Sequence, residues 1–481
     1  MNPVKAAVCN RTKPEVCKKI FFQFFGISGR NILVKTAYMV RCRIIMKLIV
    51  KKSRLKGTVV IPASKSHTIR AVAIGSLAAG QSLVHNPLHS SDTLAAVGCY
   101  RALGAAIDTS DPNLWRITGT GGEIAVPQET VDVCNSGTTL NIAMGSAALA
   151  GPGQTITFTG DAQTQTRPVG PLMDSLNELG AKCVSLKNNG KVPVSITGRL
   201  SGGRTAIAAS TSQYLSSLLL CTPLATKDTE IDVTLLNEPG YAQMTLDWLD
   251  KQRIEYENRR MRKFRIKGNQ SYKAYEAPVP ADFSSATFFL CAAALVAPVS
   301  SGEDRNGGGV TLLGLDFADS QPDKAVVDYL MAMGADIRIE ANSVTVKASP
   351  LHGTELDMNK TPDALPAMAV TGAFAAGTTK LLNVPQARAK ETDRIKCMAE
   401  ELKKMGVDVE ELPDGLVISG SRPKPAELHG WGDHRIVMAL SLAGLMLDGQ
   451  CIIDTAEAIS VTFPSYVELM RSIGARMELA D

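Results

Sequence analysis

Aromatic residues are scarce: Phe, Tyr and Trp make up 5% of the 481 residues. Proteins that hold single-stranded nucleic acid by base stacking draw on such rings, so that class is disfavoured from the outset. Paired cysteines are missing too. The ten cysteines, Cys9 to Cys451, contain no C-x-x-C, and no H-E-x-x-H occurs, so no metal is expected. Cysteines inside apolar runs, such as Cys221 and Cys291, read as small buried hydrophobes of a reducing compartment. The cytoplasm is therefore the expected location. Long apolar runs are absent: Phe288 to Val299 is too short to cross a bilayer and contains Pro298. No membrane partner is expected. Net charge is small, +4 with 20% charged residues, too weak to imply nucleic acid.

That charge is unevenly placed. Residues 1–45 hold nine Lys or Arg against the single acid Glu15, which leaves −4 for the rest. Three explanations stand for this basic extension: a translation start assigned too early, a cleaved organelle-targeting peptide, or a functional basic arm. The first fits best, because Met46 opens a smoother reading, MKLIVKKSRLKGTVVIPA. The second suits the Arg and Lys content but not a stretch whose one serine is Ser28.

What the chain does have is a repeat. An amphipathic stretch, then Leu or Met, Gly and a small residue, then an alternating strand recurs, with glycines at Gly104, Gly180, Gly334, Gly406 and Gly474. In VVDYLMAMGADIRIE, Val326, Val327, Leu330 and Met333 make a helical stripe. Gly334 supplies the left-handed residue that ends a helix, and Ile337 and Ile339 alternate as in a half-exposed strand. A sixth copy, LDWLDKQRIEYE, carries Arg253 in the glycine slot. Six units of about 70–80 residues follow, which points to an α/β fold.

A second series runs in phase. SKSHTIR, NSGTT, TSQYL, DFSSAT, PDALP and GDHRI each open an Ala- and Leu-rich helix. Their markers Ser66, Gly137, Gln213, Ser284, Asp363 and His434 are spaced by 71, 76, 71, 79 and 71 residues. Helices apolar almost all round belong in a core. Parallel core helices bring their N-termini to one face, where unsatisfied N–H groups favour anions. Lys65, Ser66, Arg70, Arg167, His434 and Arg435 lie at such mouths. KETDRI adds Lys390, Glu391, Asp393 and Arg394, with Lys390 and Arg394 expected on one helical face at i, i+4. Such a surface suits a small ligand bearing phosphate and carboxylate groups.

SKSHTIR, NSGTT, TRPVGPL, TSQYL, PDALP, KETDRI, GDHRIVMAL and TFPSY, in that order over residues 53–481, resemble the 5-enolpyruvylshikimate-3-phosphate synthase family. The resemblance implies an inverse α/β barrel of two globular domains, each of three βαββαβ units. Residues 64–279 would form an inserted domain, and 46–63 plus 280–481 the second. It implies a monomeric transferase that moves the enolpyruvyl group of phosphoenolpyruvate to the 5-hydroxyl of shikimate 3-phosphate, releasing phosphate, with no cofactor.

Position by position, Asp363 matches the family's base, and Lys65 and Glu391 its other proton-transfer groups. Ser66, Arg70, Thr211, Ser212 and Lys390 should hold shikimate 3-phosphate, with Tyr241 near the ring, Gln386 in an asparagine's place and Gln213 between the substrates. Lys65, Gly137, Arg167, Arg394 and Arg435 should surround phosphoenolpyruvate, Gly137 leaving room for the substrate. The chain departs from the pattern in four places. Glu238 stands where a serine is usual, Gln386 for asparagine, Asn141 for an arginine, and Val461 for a lysine expected to contact phosphoenolpyruvate. Alternatives carried forward are a transferase acting on another acceptor such as UDP-N-acetylglucosamine, a non-catalytic phosphate-binding relative, and an RNA-end-processing protein of related fold.

Overall fold

The computed structural model describes residues 45–296 and 309–481. The basic extension to Ile44, and Pro298 with it, lies outside the described residues. Six core helices carry the architecture: α1 (Lys65–Leu77), α2 (Gly137–Ala147), α3 (Ser212–Cys221), α4 (Phe283–Val296), α5 (Leu365–Phe374) and α6 (His434–Met446). Each opens at one of the polar clusters read from the sequence. Their caps explain why they start there. Ser64, Ser136, Thr211 and Asp433 each turn a side-chain oxygen onto an N–H of the first turn, and Asp282 does the same for Ser285. Beyond the first residues these helices are buried almost throughout, as their lack of a polar face requires.

Around them stand six four-stranded sheets of one pattern, among the described residues. In one, Glu276–Pro278 runs parallel to Ala79–His85, which pairs antiparallel with Leu114–Thr120, itself antiparallel to Ala106–Asp111. Two separate cores result. The first runs from Ile69 to Val279 and contains α1, α2 and α3; the second joins Leu48–Ile61 to Ala281–Met477 and contains α4, α5 and α6. The strand Lys47–Lys51 belongs to the second, between Gln450–Ile453 and Arg476–Ala480. This is the inverse α/β architecture of paired three-unit lobes. No described helix is long and apolar enough to cross a membrane.

The repeat survives in atomic detail. Gly104, Gly180, Arg253, Gly334, Gly406 and Gly474 all have positive φ. After each, the next residue (Ala105, Ala181, Ile254, Ala335, Val407, Ala475) returns its N–H to the carbonyl five residues back. These are six Schellman ends, each followed by an apolar residue that packs inward. Arg253, at φ 57°, takes the conformation without glycine's freedom. We therefore expect Arg253→Gly to stabilise the protein by about 0.5–1 kcal/mol, read as a shift in the denaturant midpoint at unchanged slope. An unchanged or lower midpoint would refute the account.

One local expectation is corrected. Lys390 and Arg394 do not share a helical face. A 3₁₀ segment, Pro385–Ala389, ends at Lys390, and the next helix begins only at Arg394. Asp393 caps that helix by accepting from Lys396 N at 3.0 Å, so the chain turns between the two cations instead of continuing one helix.

Candidate active site

The mouths of α1, α2, α3 and α6, with the 3₁₀ turn Pro362–Ala364 that leads into α5, converge on one cavity between the two lobes. From the first lobe come Lys65, Ser66, Arg70, Gly137, Arg167, Ser212, Gln213 and Tyr241. The second contributes Asp363, Lys390, Glu391, Arg394 and Arg435. The mouth of α4 takes no part: its first N–H is met by Gln321 Oε1 at 3.0 Å, and Asp282 accepts from Ser285 N in the same turn. Thr211 and Gln386 line an adjoining cavity of about 290 Å³ that shares Arg167, Gln213 and Lys390 with the first.

Charges fill the main cavity and pair across it, leaving about 40 Å³ of water-accessible space. Arg394, 1% exposed, is the hub. Its guanidinium donates to Asp363 Oδ1 at 2.7 Å, to Asp433 Oδ2 at 2.8 Å and to Glu391. Arg435 reaches Asp363 Oδ2 at 3.0 Å, and Lys390 pairs with Glu238 and lies 3.9 Å from Asp363. Arg167, from the other lobe, meets Glu391 Oε1 at 2.9 Å. Lys65 Nζ donates to Asp92 Oδ2 at 3.1 Å. Burial alone would raise the pKa of Asp363, but Arg435, Lys390 and Arg394 outweigh it and hold this carboxyl far below the usual carboxylate range. Glu391 is likewise held low against its burial, by Arg167 and Arg394. Burial pushes His434 down to about 3, so this ring is neutral.

Gly137 has a structural reason of its own beside the expected one. A Cβ there would stand 2.1 Å from a terminal nitrogen of Arg167, so the glycine makes room for that guanidinium. Gly137→Ala should leave the fold intact and push Arg167 off Glu391. The expected readout is a Michaelis constant for the anionic substrate of that subsite raised about tenfold or more; an unchanged constant would show that Arg167 does not bind it.

Three neighbours escaped the sequence reading. Asp92 sits in the first turn of the helix Ser91–Ala102, and nothing in its local sequence marks it as the partner of Lys65. Thr138 accepts from Gln213 Nε2 at 3.1 Å. Asp433, fully buried, both caps α6 and anchors Arg394; the D of GDHRI was its only signal. Asn141 binds Gln213 Oε1 through Nδ2 at 2.7 Å, so it positions Gln213 where an arginine was expected. Val461 ends the 3₁₀ turn Ala456–Val461, half-buried, and does not line the cavity.

A family model described as EPSP synthase (3-phosphoshikimate 1-carboxyvinyltransferase) matches residues 49–470. A 3-phosphoshikimate 1-carboxyvinyltransferase of Acetivibrio thermocellus is 52% identical over 436 residues, 91% of this chain and 100% of that protein. Another, of Ruminiclostridium cellulolyticum, is 48% identical over 90% of this chain and 100% of its own length. Among solved structures, EPSP synthase from Acinetobacter baumannii superposes with a TM-score of 0.75 at 26% identity, over 91% of this chain and 100% of that one.

Proposed function

We infer the role of each residue from the premise that this chain belongs to the EPSP synthase family. The enzyme transfers the enolpyruvyl group of phosphoenolpyruvate to the 5-hydroxyl of shikimate 3-phosphate and releases phosphate, a step towards chorismate and the aromatic amino acids. The observation that carries this reading is the convergence of six cations from two lobes, Lys65, Arg70, Arg167, Lys390, Arg394 and Arg435, around the carboxylates Asp363 and Glu391. Two multiply charged anions repel each other in water. A shared nest of cations removes that repulsion and holds the hydroxyl against the enol carbon.

In our reading Asp363 takes the 5-hydroxyl proton as the oxygen attacks C2 of phosphoenolpyruvate, the Lys65 ammonium delivers a proton to C3, and Glu391, held as the anion, receives the C3 proton that the adduct later loses. The tetrahedral adduct then loses a C3 proton and its C–O bond to phosphate, which restores the enol double bond. An Asp363 so strongly stabilised as the anion is a weak base. Substrate phosphates and carboxylates that draw Arg435, Lys390 and Arg394 towards themselves raise its pKa, so the base strengthens when both substrates are present.

Residues 64–279 form the inserted lobe in this scheme, and 46–63 with 280–481 the other. We place the enzyme in the cytoplasm as a monomer. Cysteines packed in apolar surroundings, such as Cys221 and Cys291, support the reducing compartment. The direct test is phosphate release from phosphoenolpyruvate that requires shikimate 3-phosphate. Release that instead requires UDP-N-acetylglucosamine, or none with either acceptor, would overturn the assignment.

A further inference from the structure

We propose that Glu238 is a specificity-determining residue. Its carboxylate is a tethered occupant of the anion cradle at the mouth of α3, and an acceptor's phosphate enters only by displacing it. This rests on the reading above, in which Thr211, Ser212 and Lys390 receive the phosphate of the acceptor.

The cradle is built as an oxyanion site and already holds an oxyanion. Glu238 is 1% exposed. Its Oε2 accepts from Ser212 Oγ at 2.9 Å, from Ser212 N at 3.3 Å and from Thr211 Oγ1 at 3.3 Å. Its other oxygen is paired with the Lys390 ammonium. Two hydroxyls, a helix N-terminal N–H and a cation make the donor set that a phosphate seeks. A carboxylate in their midst uses the same donors and repels a second anion.

The backbone is arranged for this. Glu238 immediately precedes the helix Pro239–Lys251 and sits in the left-handed region, at φ 56° and ψ 48°. That conformation is costly for a side chain other than Gly, Asn or Asp, and persists where surrounding contacts over-determine it. Here the contacts of the carboxylate do so. An independent observation points to a missing counter-charge on the same wall. Arg70, 2% exposed, donates only to neutral acceptors: Thr245 Oγ1 at 2.9 Å, Ser66 O at 3.0 Å, Ser216 Oγ at 3.2 Å and Tyr241 O at 2.8 Å. A buried guanidinium touching no carboxylate favours an incoming anion, while the Glu238–Lys390 pair beside it keeps the best phosphate donors engaged.

The competing account is that Glu238 merely braces the mouth of α3 against Lys390 on the opposite lobe. The two differ in sign. If the carboxylate competes with phosphate, removing it strengthens binding; if it only braces, removing it weakens both the fold and the site. The experiment compares the full chain with Glu238→Ser and Glu238→Gln. Inorganic phosphate and shikimate 3-phosphate are titrated calorimetrically, and Michaelis constants are measured for both substrates. Glu238→Ser is expected to bind phosphate and shikimate 3-phosphate at least about tenfold more tightly. Its Michaelis constant for shikimate 3-phosphate should fall by a similar factor, that for phosphoenolpyruvate much less. Glu238→Gln should fall between. Equal or weaker anion binding by Glu238→Ser overturns the proposal; should that variant fail to fold, the same comparison with Glu238→Gln decides. If none of the proteins turns over shikimate 3-phosphate, yet inorganic phosphate still binds the serine variant more tightly, the cradle inference stands and the acceptor assignment falls.

Discussion

Asp363→Asn is expected to lower turnover by at least about 100-fold, the lower bound for loss of a general base. The amide keeps the size and the hydrogen-bonding shape of the side chain but cannot take the hydroxyl proton. It also stops neutralising Arg394 and Arg435, which lie 2.7 and 3.0 Å from the carboxylate oxygens. Those cations become more available to substrate anions, so Michaelis constants should hold steady or fall while turnover collapses. That split distinguishes a base from a residue that merely holds the cations in place, whose loss would raise the Michaelis constants. Asparagine is preferred to alanine because a void beside two buried guanidinium groups would destabilise the lobe on its own account. A folded Asp363→Asn protein with turnover within tenfold of the parent would remove Asp363 from the base role.

Arg394→Ala should have the largest effect on stability, about 3–5 kcal/mol at neutral pH, the range for breaking a buried ion pair. The guanidinium is shared by Asp363, Glu391 and Asp433, and its loss leaves Asp433, fully buried, without its cation. The pH dependence identifies the cause. In the parent protein Asp363, Glu391 and Asp433 all have folded pKa values below their unfolded ones. They therefore add stability above the unfolded carboxyl pKa of about 4, and that stability is lost as pH falls through the folded values. Without Arg394 the depression shrinks or reverses, so the variant gains relative to the parent on acidification. The gap between the two, measured by denaturant unfolding, should narrow as pH falls below about 4. A gap independent of pH would mean that lost packing, not lost charge, is responsible.

Much of this was legible from periodicity. Five glycines and one arginine at even spacing marked six helix ends, and all six proved left-handed, because a Schellman turn is a local device that local sequence encodes. The six polar clusters marked six helix starts for the same reason. Legibility failed where a side chain's partner lies far along the chain. Asp92 pairs with Lys65, 27 residues away, and Asp433 with Arg394, 39 away; neither carries a local sign of its partner. Misreading KETDRI as one helix came from giving charge spacing more weight than a capping aspartate. The mouth of α4 looked like its five counterparts, and only tertiary contact with Gln321 closed it. Glu238 was visible as a departure from the family pattern, but its αL backbone, which goes with the carboxylate facing the cradle, was not.

The strand Lys47–Lys51 has a consequence for how the protein is made. Its partners, such as Ile453 opposite Leu48, lie about 400 residues downstream. At ordinary translation speeds of about 5–20 residues per second, they emerge about 20–80 s later. The inserted lobe, whose core is contiguous from Ile69 to Val279, can collapse on the ribosome in the meantime. This strand, the earliest-made of those described, waits with both edges unpaired until Gln450–Ile453 and Arg476–Ala480 arrive on either side of it, so the lobe that contains it is the later of the two to close, and it closes around the first strand it made.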